Sequence, residues 1–536
     1  MTGAQLFLLP SESQASLARH VVRALVPFAI SCILYSLWQI YVYPAFFSPL
    51  RHLPMAPGGY SPMGHSMAKF GTPTDTSLED WIRNVPNDGM IRAKEVFGGD
   101  AVIATSPAIL KRVLVEDSYN FTKDDNIRKI LRLVLGDGLI VVEGDVHKSQ
   151  KQILRGSFGT GPIKDLYPLF WQKSTILLTA LQSKLSSPSD LKRVPFGRWC
   201  EQVTLDIIGV AAFGIDFDSL NKPSDTGLAG EYHELLRVDT SRAIWFLASF
   251  FLPQWIVNNI PIWEAPGVAD RLTRKLNELS LEIAQNRRAE IKAGAVPAEA
   301  GPTGRADVLS GLVKNTTLSD AQLADQVLTF LTAGHETTSS ALIWALVSLA
   351  QDDDVQQRLR DEIRANISSP SESDEAPPAA LLDKLPLLNG VCHETLRLFP
   401  TVPFTARTAV KATQLGEFLL PVGGQVWLPV WAYNRSPHYW GQNASKFVPD
   451  RWITDGSFNN NGGAPSNYAQ MTFLHGPRHC IGQGFAKGEL RCLVAALAGR
   501  YHFELAEDIS KYPPEGLVTV KPQNGGLLNL RVVKGW

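Results

Sequence analysis

Paired cysteines are the first thing this chain lacks. Its 536 residues include five cysteines, Cys32, Cys200, Cys392, Cys480 and Cys492, scattered, odd in number and without a C-x-x-C pair. That argues against a disulfide framework or a cysteine-ligated zinc, and it fits a reducing compartment. The eleven histidines form no H-E-x-x-H pattern, so the helical zinc-hydrolase arrangement is missing too. The formal net charge is −1; no basic excess marks a nucleic-acid partner, and none is expected. No segment repeats at a fixed period. Composition is otherwise that of a globular protein, with 45% hydrophobic and 19% charged residues.

Long apolar runs are scarce, and the one that stands out is N-terminal. Ala24 to Tyr43 is twenty residues without a charge, with Arg19 and Arg23 before it and Arg51 after it. That length spans a bilayer. Tyr35, Trp38, Tyr41, Tyr43, Phe46 and Phe47 gather toward its end as an interfacial aromatic belt does. A cleaved signal peptide has a shorter core followed by small residues, whereas Tyr43-Pro44-Ala45-Phe46-Phe47 follows here. An uncleaved anchor is therefore expected; basic residues balance on its two sides and leave its orientation open. Leu53-Pro54-Met55-Ala56-Pro57-Gly58-Gly59 then breaks any helix. Ile244 to Trp263 is also uncharged, but Pro253, Pro261 and Asn258-Asn259 make it a poor span; its aromatics, Phe250 and Phe251 among them, are expected to touch a membrane without crossing it. The expected organisation is a short segment at 1–23, an anchor at 24–43, a proline-rich hinge at 44–59 and a catalytic domain at 60–536.

Within that domain, Met90 to Thr105 has short β-like runs broken by Asp-Gly and Gly-Gly. Helical patterns dominate afterwards. Ser319-Asp320-Ala321-Gln322 reads as a capping box opening a long helix through Leu349. Residues 293–305, 368–380 and 456–467 read as surface connectors. The expected class is mainly α with a small β region.

The most informative residues are Phe473-Leu474-His475-Gly476-Pro477-Arg478-His479-Cys480-Ile481-Gly482. A cysteine just ahead of a helix N-terminus meets unpaired N–H groups and the positive end of the helix dipole, which favour the thiolate. Such a thiolate is an axial ligand for haem iron. Gly476 and Gly482 allow close backbone approach to a flat macrocycle, and Arg478 is placed to meet a haem propionate. Upstream, Ala333-Gly334-His335-Glu336-Thr337-Thr338 lies inside the long helix. A mid-helix threonine hydroxyl bonds the carbonyl four residues back, here Ala333. A hydroxyl and a carboxylate on one loosened turn can relay protons. Glu394 and Arg397, three apart, share a helical face and can pair; Glu234 and Arg237 repeat that spacing and read as a solvated face.

These motifs resemble the cytochrome P-450 family, microsomal fungal members in particular. The cysteine loop matches F-x-x-G-x-R-x-C-x-G at every specified position. The Ala333–Thr338 hexapeptide resembles the family's oxygen-activation motif, and Glu394-x-x-Arg397 with Pro449-Asp450-Arg451 resembles its E-x-x-R and P-E-R pair, Asp standing for the commoner Glu. The resemblance implies the P-450 fold behind one transmembrane helix, with haem b ligated by Cys480 and Phe473, Gly476, Arg478 and Gly482 in its cradle. It implies that Thr337 assists dioxygen activation while Glu336 delivers protons, and that Glu394, Arg397 and Arg451 form a buried structural triad. His147 and Lys151 fit a spacing at which the family contacts a propionate, and Arg407 is a further such residue. NADPH would act through a separate NADPH-cytochrome reductase, docking on a basic face that includes Lys148, Arg155, Lys487 and Arg491. The remaining partners are O2, membrane lipid and a lipophilic substrate, drawn from terpenoid or polyketide secondary metabolism. Alternatives are a fatty-acid hydroxylase, a member catalysing isomerisation or dehydration, and a haem-based sensor or carrier. The expected location is the endoplasmic reticulum membrane, single-pass, with the catalytic domain cytosolic.

Overall fold

The computed structural model describes residues 12–59, 61–69, 77–183, 192–222, 244–245, 248–249, 256–257, 265–294, 307–315, 318–373, 375–516 and 518–536. Most of the 244–263 stretch, Phe250 and Phe251 included, and the Glu234–Arg237 pair lie outside them.

The N-terminal apolar run is helical. Helix α1 (Glu12–Leu37) continues as a wider π-helix over Trp38–Phe47, with Pro44 inside it. Among the described residues, the segment Arg23–Phe47 is the one helix long and apolar enough to cross a membrane.

The body is mainly helical, and the elements that position the site are α2 (Gly144–Leu154), α3 (Tyr167–Gln182), α4 (Phe196–Phe213), α5 (Ala265–Lys292), α6 (Asp320–Leu349), α7 (Asp353–Asn366), α8 (Pro386–Leu398) and α9 (Gln483–Arg500). Helix α6 starts where the sequence predicts. Ser319 Oγ accepts from Gln322 N, and the Gln322 side chain accepts from Ser319 N, closing the capping box. Apolar residues surround this helix on nearly all faces, so it runs through the core, against α4 and α5. Gly334 permits that packing: a Cβ there would lie 2.6 Å from Ile208 Cγ1 of α4. The glycine expected to loosen a turn thus also sits where two helices pack closely.

Two sheets complete the frame. The larger contains β1 (Met90–Lys94), β2 (Asp100–Ala104), β3 (Phe121–Thr122), β5 (Thr405–Ala409) and β6 (Gln425–Leu428), ordered β1-β2-β6-β5-β3. β2 and β6 are parallel and the other pairs antiparallel. The smaller sheet joins β4 (Lys192–Pro195), β7 (Tyr501–Leu505) and β8 (Leu527–Val532), with β8 central. Thr122 of β3 lies opposite Thr408 of β5. That register carries Lys123 and Arg407 to one end of the sheet although nearly three hundred residues separate them.

Candidate active site

The cysteine loop sits between β-rich and helical regions and leads directly into α9. Gly476–Arg478 form one 3-10 turn, and Cys480 N donates to Phe473 O at 2.9 Å. Gly476 has φ of +75°, and a Cβ there would strike the Leu114 carbonyl oxygen at 1.9 Å. Its glycine requirement is therefore met by the protein's own backbone. A Cβ on Gly482 would fall 3.9 Å from Cys480 Sγ. Cys480 is exposed, yet burial is the largest influence on its thiol and pushes its pKa up; the Gly482 N–H and the Lys151 ammonium pull it back. A residue that is accessible and yet deeply desolvated faces a recess and not the outer surface. The dipole argument from sequence is opposed here by desolvation, which raises the pKa of the thiol.

A cationic cluster, buried at Arg407 and half-buried at Lys123, Lys151 and Arg478, lies beside the loop. Arg478 donates from Nε to Glu143 Oε2 at 2.8 Å and from Nη2 to Phe121 O at 3.0 Å. Glu143 also pairs with Lys123 Nζ at 3.2 Å and accepts from its backbone N–H at 2.9 Å. Arg407, buried on β5, bonds Ala406 O at 2.8 Å and Thr405 Oγ1 at 3.1 Å. Lys151 on α2 reaches Pro477 O at 2.5 Å and His479 Nδ1 at 3.2 Å. Among the described residues, Glu143 is the carboxylate paired with this set. The imbalance shows in the titrations. Burial, with Arg407 and Arg478 nearby, pushes Lys123 down to about 8; burial and Arg478 push Arg407 down to about 10. His147, buried on α2 with Nδ1 3.4 Å from Tyr119 Oη, is pushed down to about 4 by burial and then by Lys123 and Arg478. It is therefore neutral at pH 7. A desolvated cluster of cations around one carboxylate is built for additional anionic oxygens.

Across α6, Thr337 Oγ1 donates to Ala333 O at 2.8 Å, the bond expected from sequence. Glu336 is buried, accepts from Thr519 Oγ1 at 2.5 Å, and has its pKa raised by burial. Thr519 belongs to the turn closed by Pro514–Glu515 pairing with Lys521–Pro522. Lys521 Nζ pairs with Glu201 Oε1 at 2.6 Å, and both charges act on Glu336.

The third assembly is structural. Arg397 and Glu394 are wholly buried. Glu394 Oε1 accepts from Arg397 Nη2 (2.7 Å), Arg451 Nε (2.9 Å) and Val448 N (2.9 Å), and Oε2 from Arg397 Nε (2.8 Å) and Trp452 Nε1 (3.0 Å). The remaining Arg397 N–H groups donate to the carbonyls of Asn434, Ala444 and Lys446. Asn434 passes the network on: its amide donates to Arg397 O and Thr472 Oγ1 and accepts from Met471 N. The triad thereby fixes the strand of chain entering the cysteine loop. Asp450 turns outward to pair with Arg358 of α7 at 2.5 Å, so its replacement of glutamate leaves the buried network intact.

Sequence reasoning did not single out Lys123, Glu143, Asn434, Trp452 or Thr519, whose partners are far away in the chain. It also placed Arg491 on a docking face. The structure turns Arg491 inward, to Asn389 Oδ1 at 2.5 Å, Tyr167 Oη at 3.1 Å and Asp383 at 3.1 Å. Lys487 is half-buried with Nζ 5.7 Å from the Phe473 ring centroid. Of that set, Lys148 and Arg155 are exposed.

Residues 95–529 match the family model described as Cytochrome P450. The chain is 36% identical over 516 residues to cytochrome P450 monooxygenase sphH of Aspergillus fumigatus, covering 95% of this chain and 92% of that protein. It is 35% identical over 512 residues to cytochrome P450 monooxygenase ptmK of Penicillium ochrochloron, with 94% and 98% covered. Cytochrome P450 monooxygenase buaD of Petromyces alliaceus is 30% identical over 516 residues, with 94% and 92% covered.

Proposed function

The chain belongs to the cytochrome P450 family and is a monooxygenase, and from that premise we propose a membrane-anchored haem-thiolate enzyme that oxidises a lipophilic fungal secondary metabolite. The observation that carries the site assignment is the accessible, desolvated Cys480 beside the cationic cluster of Lys123, Arg407, Arg478 and Lys151. The residues present fit a haem: one sulfur ligand, and cations in excess of carboxylate where two propionates would be held. When bound, haem supplies reductive activation of O2, with two electrons and two protons yielding one hydroxylated C–H bond and one water.

The tasks proposed for the protein's own residues are supported by their positions. Cys480 ligates through sulfur. Arg478, Lys123, Arg407, Lys151 and neutral His147 would hold the propionates. Glu336, its carboxyl kept protonated to higher pH by burial, stores a proton; Thr519 orients that carboxyl, and Thr337 presents a hydroxyl on the next residue of the same turn. Electrons reach the site from NADPH through a reductase, docking on the exposed cations Lys148 and Arg155. The endoplasmic reticulum is the proposed membrane, with the body cytosolic. The substrate is proposed to be a terpenoid or polyketide; the fungal relatives support secondary metabolism as its source.

Three results test the reading. Reconstitution with a reductase and a panel of lipophilic candidates should yield NADPH-dependent hydroxylated product. In Thr337→Ala, NADPH consumption should continue while product per NADPH falls by roughly 100-fold, the low end for a lost proton-transfer group, and hydrogen peroxide rises correspondingly. In the wild type, coupling should decline as pH rises through the raised Glu336 pKa, because the stored proton is then lost; unchanged coupling in the mutant removes Thr337 from the relay.

The cationic cluster makes a separate prediction. Lys123→Met should lose haem to an apoprotein scavenger about tenfold faster, equivalent to one charge-assisted hydrogen bond of about 1.5 kcal/mol. Equal loss rates would exclude Lys123 from propionate binding.

A further inference from the structure

We propose that Glu201 of α4 is a positioning residue for proton delivery: by pairing with Lys521 it keeps that ammonium off the Glu336 carboxyl, so that Glu336 can carry a proton. The inference rests on the reading of Glu336 as the proton carrier.

The three residues come from distant parts of the chain and are joined in a closed ring. Glu336 of α6 accepts from Thr519 Oγ1 at 2.5 Å. Two residues further on, Lys521 Nζ donates to Glu201 Oε1 at 2.6 Å. One turn along α4 from Glu201, Thr204 Oγ1 donates at 3.1 Å to the carbonyl of His335, the neighbour of Glu336. The backbone from Thr519 to Lys521 spans at most about 7 Å. Val520 between them is pinned: its N–H donates to Thr401 O at 2.9 Å, and its carbonyl accepts from Trp344 Nε1 at 3.2 Å. Trp344 belongs to α6, so this segment is tied to the helix that carries Glu336. The ammonium is thereby held near both carboxyl groups, and Lys521 and Glu201 are the two charges that act on Glu336.

One cation thus stands between two carboxyl groups that differ in their access to water. The side chains of Lys521 and Glu201 are 29% and 14% exposed, while Glu336 is buried and bonded to a neutral hydroxyl. An ion pair costs least to desolvate at the more exposed carboxyl. Glu201 therefore ionises beside Lys521 and Glu336 stays an acid, the division of roles that unlike environments impose on two carboxyl groups. Two further titratable groups lie close by, and burial keeps both uncharged. His335 donates from Nδ1 to Leu331 O at 2.5 Å and has its pKa pushed down. Glu489 of α9, wholly buried and bonded to Thr338, has its pKa pushed up. With the Glu201 carboxylate gone, the flexible stem of Lys521 leaves the ammonium to turn to the other carboxyl it acts on, Glu336. A salt-bridged, ionised Glu336 has no proton to give.

The test follows the infrared carbonyl band of the protonated carboxyl in the full-length, haem-loaded protein as pH is raised. The band is assigned by its loss in Glu336→Gln. In Glu201→Gln the pH at which it disappears should fall by about one to three units, the effect of an opposite charge brought into contact. Reductase-supported NADPH consumption at neutral pH should slow about tenfold or more, since each unit cuts the protonated fraction tenfold. Replacing the cation as well, by Lys521→Met in the same chain, should restore both. A midpoint that does not fall in Glu201→Gln overturns the proposal. So does one that stays low in the double variant, the pattern of a merely structural Glu201. Lys521→Met alone should raise the midpoint, which tests the arrangement even where Glu201→Gln fails to hold haem; a fall there overturns the proposal. Unchanged NADPH consumption in Glu336→Gln overturns the proton-carrier reading beneath it.

Discussion

Cys480→Ser abolishes the thiolate-type Soret band of the reduced carbon monoxide complex and, with it, substrate oxidation. The reason is specific to the ligand atom. A serine oxygen is a poor electron donor to iron, and burial already disfavours an anion at this position, since even the thiol is pushed above its usual range. The other cysteines cannot substitute: Cys200, Cys392 and Cys492 are buried elsewhere in the core, and Cys32 lies in the anchor helix. The expected loss of turnover is at least about a thousandfold, the scale at which a cofactor's electronics and not its placement is removed. The checks are the difference spectrum and single-turnover product yield; a surviving thiolate-type band would falsify the assignment of Cys480.

The second large effect is structural and falls on Arg397. All of its N–H groups are used, and Glu394 accepts from it, from Arg451, from Trp452 and from the Val448 backbone. Arg397→Met leaves a buried carboxylate short of its main counter-charge and strands the carbonyls of Asn434, Ala444 and Lys446. Breaking a buried pair from one side costs about 3–5 kcal/mol, a large share of the usual stability of a domain. The variant should show a lower urea midpoint and a smaller haem-loaded fraction at equal expression. The wild-type dependence on pH has a definite sign. Glu394 is held below its ordinary pKa by its arginine hydrogen bonds and their charge, despite burial. Its contribution is present above the unfolded carboxylate pKa and is lost as pH falls through the lower folded value. In Arg397→Met that acid-side loss should shift to higher pH. Asp450→Ala, by contrast, removes a half-exposed pair with Arg358 and should change stability by less than about 1 kcal/mol. Equal midpoints for Arg397→Met and wild type would show that the triad is not what supports the cysteine loop.

These two residues were legible for different reasons. Cys480 was identified by a run of unusual identities within ten positions, and Arg397 by the three-residue spacing that puts it beside Glu394 on one helical face. The long α6 helix, its capping box and the Thr337–Ala333 bond were likewise local: each is written in residues within one or two turns of one another, and backbone geometry does the rest. The anchor was visible because twenty uncharged residues have few other uses.

What the sequence left undecided is where each charge ends up. Arg491 and Lys148 look equivalent in a string, yet one is bonded into the core and the other is exposed. The Arg478–Glu143 pair joins residues 335 apart, and Thr519 reaches Glu336 across 183. Nothing local specifies such partners. They are selected by strand register, as when Thr122 opposite Thr408 brings Lys123 toward Arg407, and by helix packing, as when Gly334 meets Ile208. The same holds for the residues after the N-terminal helix: residues 44–59 read as a proline-rich hinge because proline and glycine break helices, but whether such a segment swings or docks depends on a surface that only the folded sheet provides. The chain's local chemistry determined the cysteine loop, the long helix and an N-terminal helix long and apolar enough to cross a membrane. Desolvation and long-range pairing, which exist only once the chain is packed, decided the cationic cluster around Glu143, the raised pKa of the Glu336 carboxyl and the bonding of the segment after the N-terminal helix to the sheet.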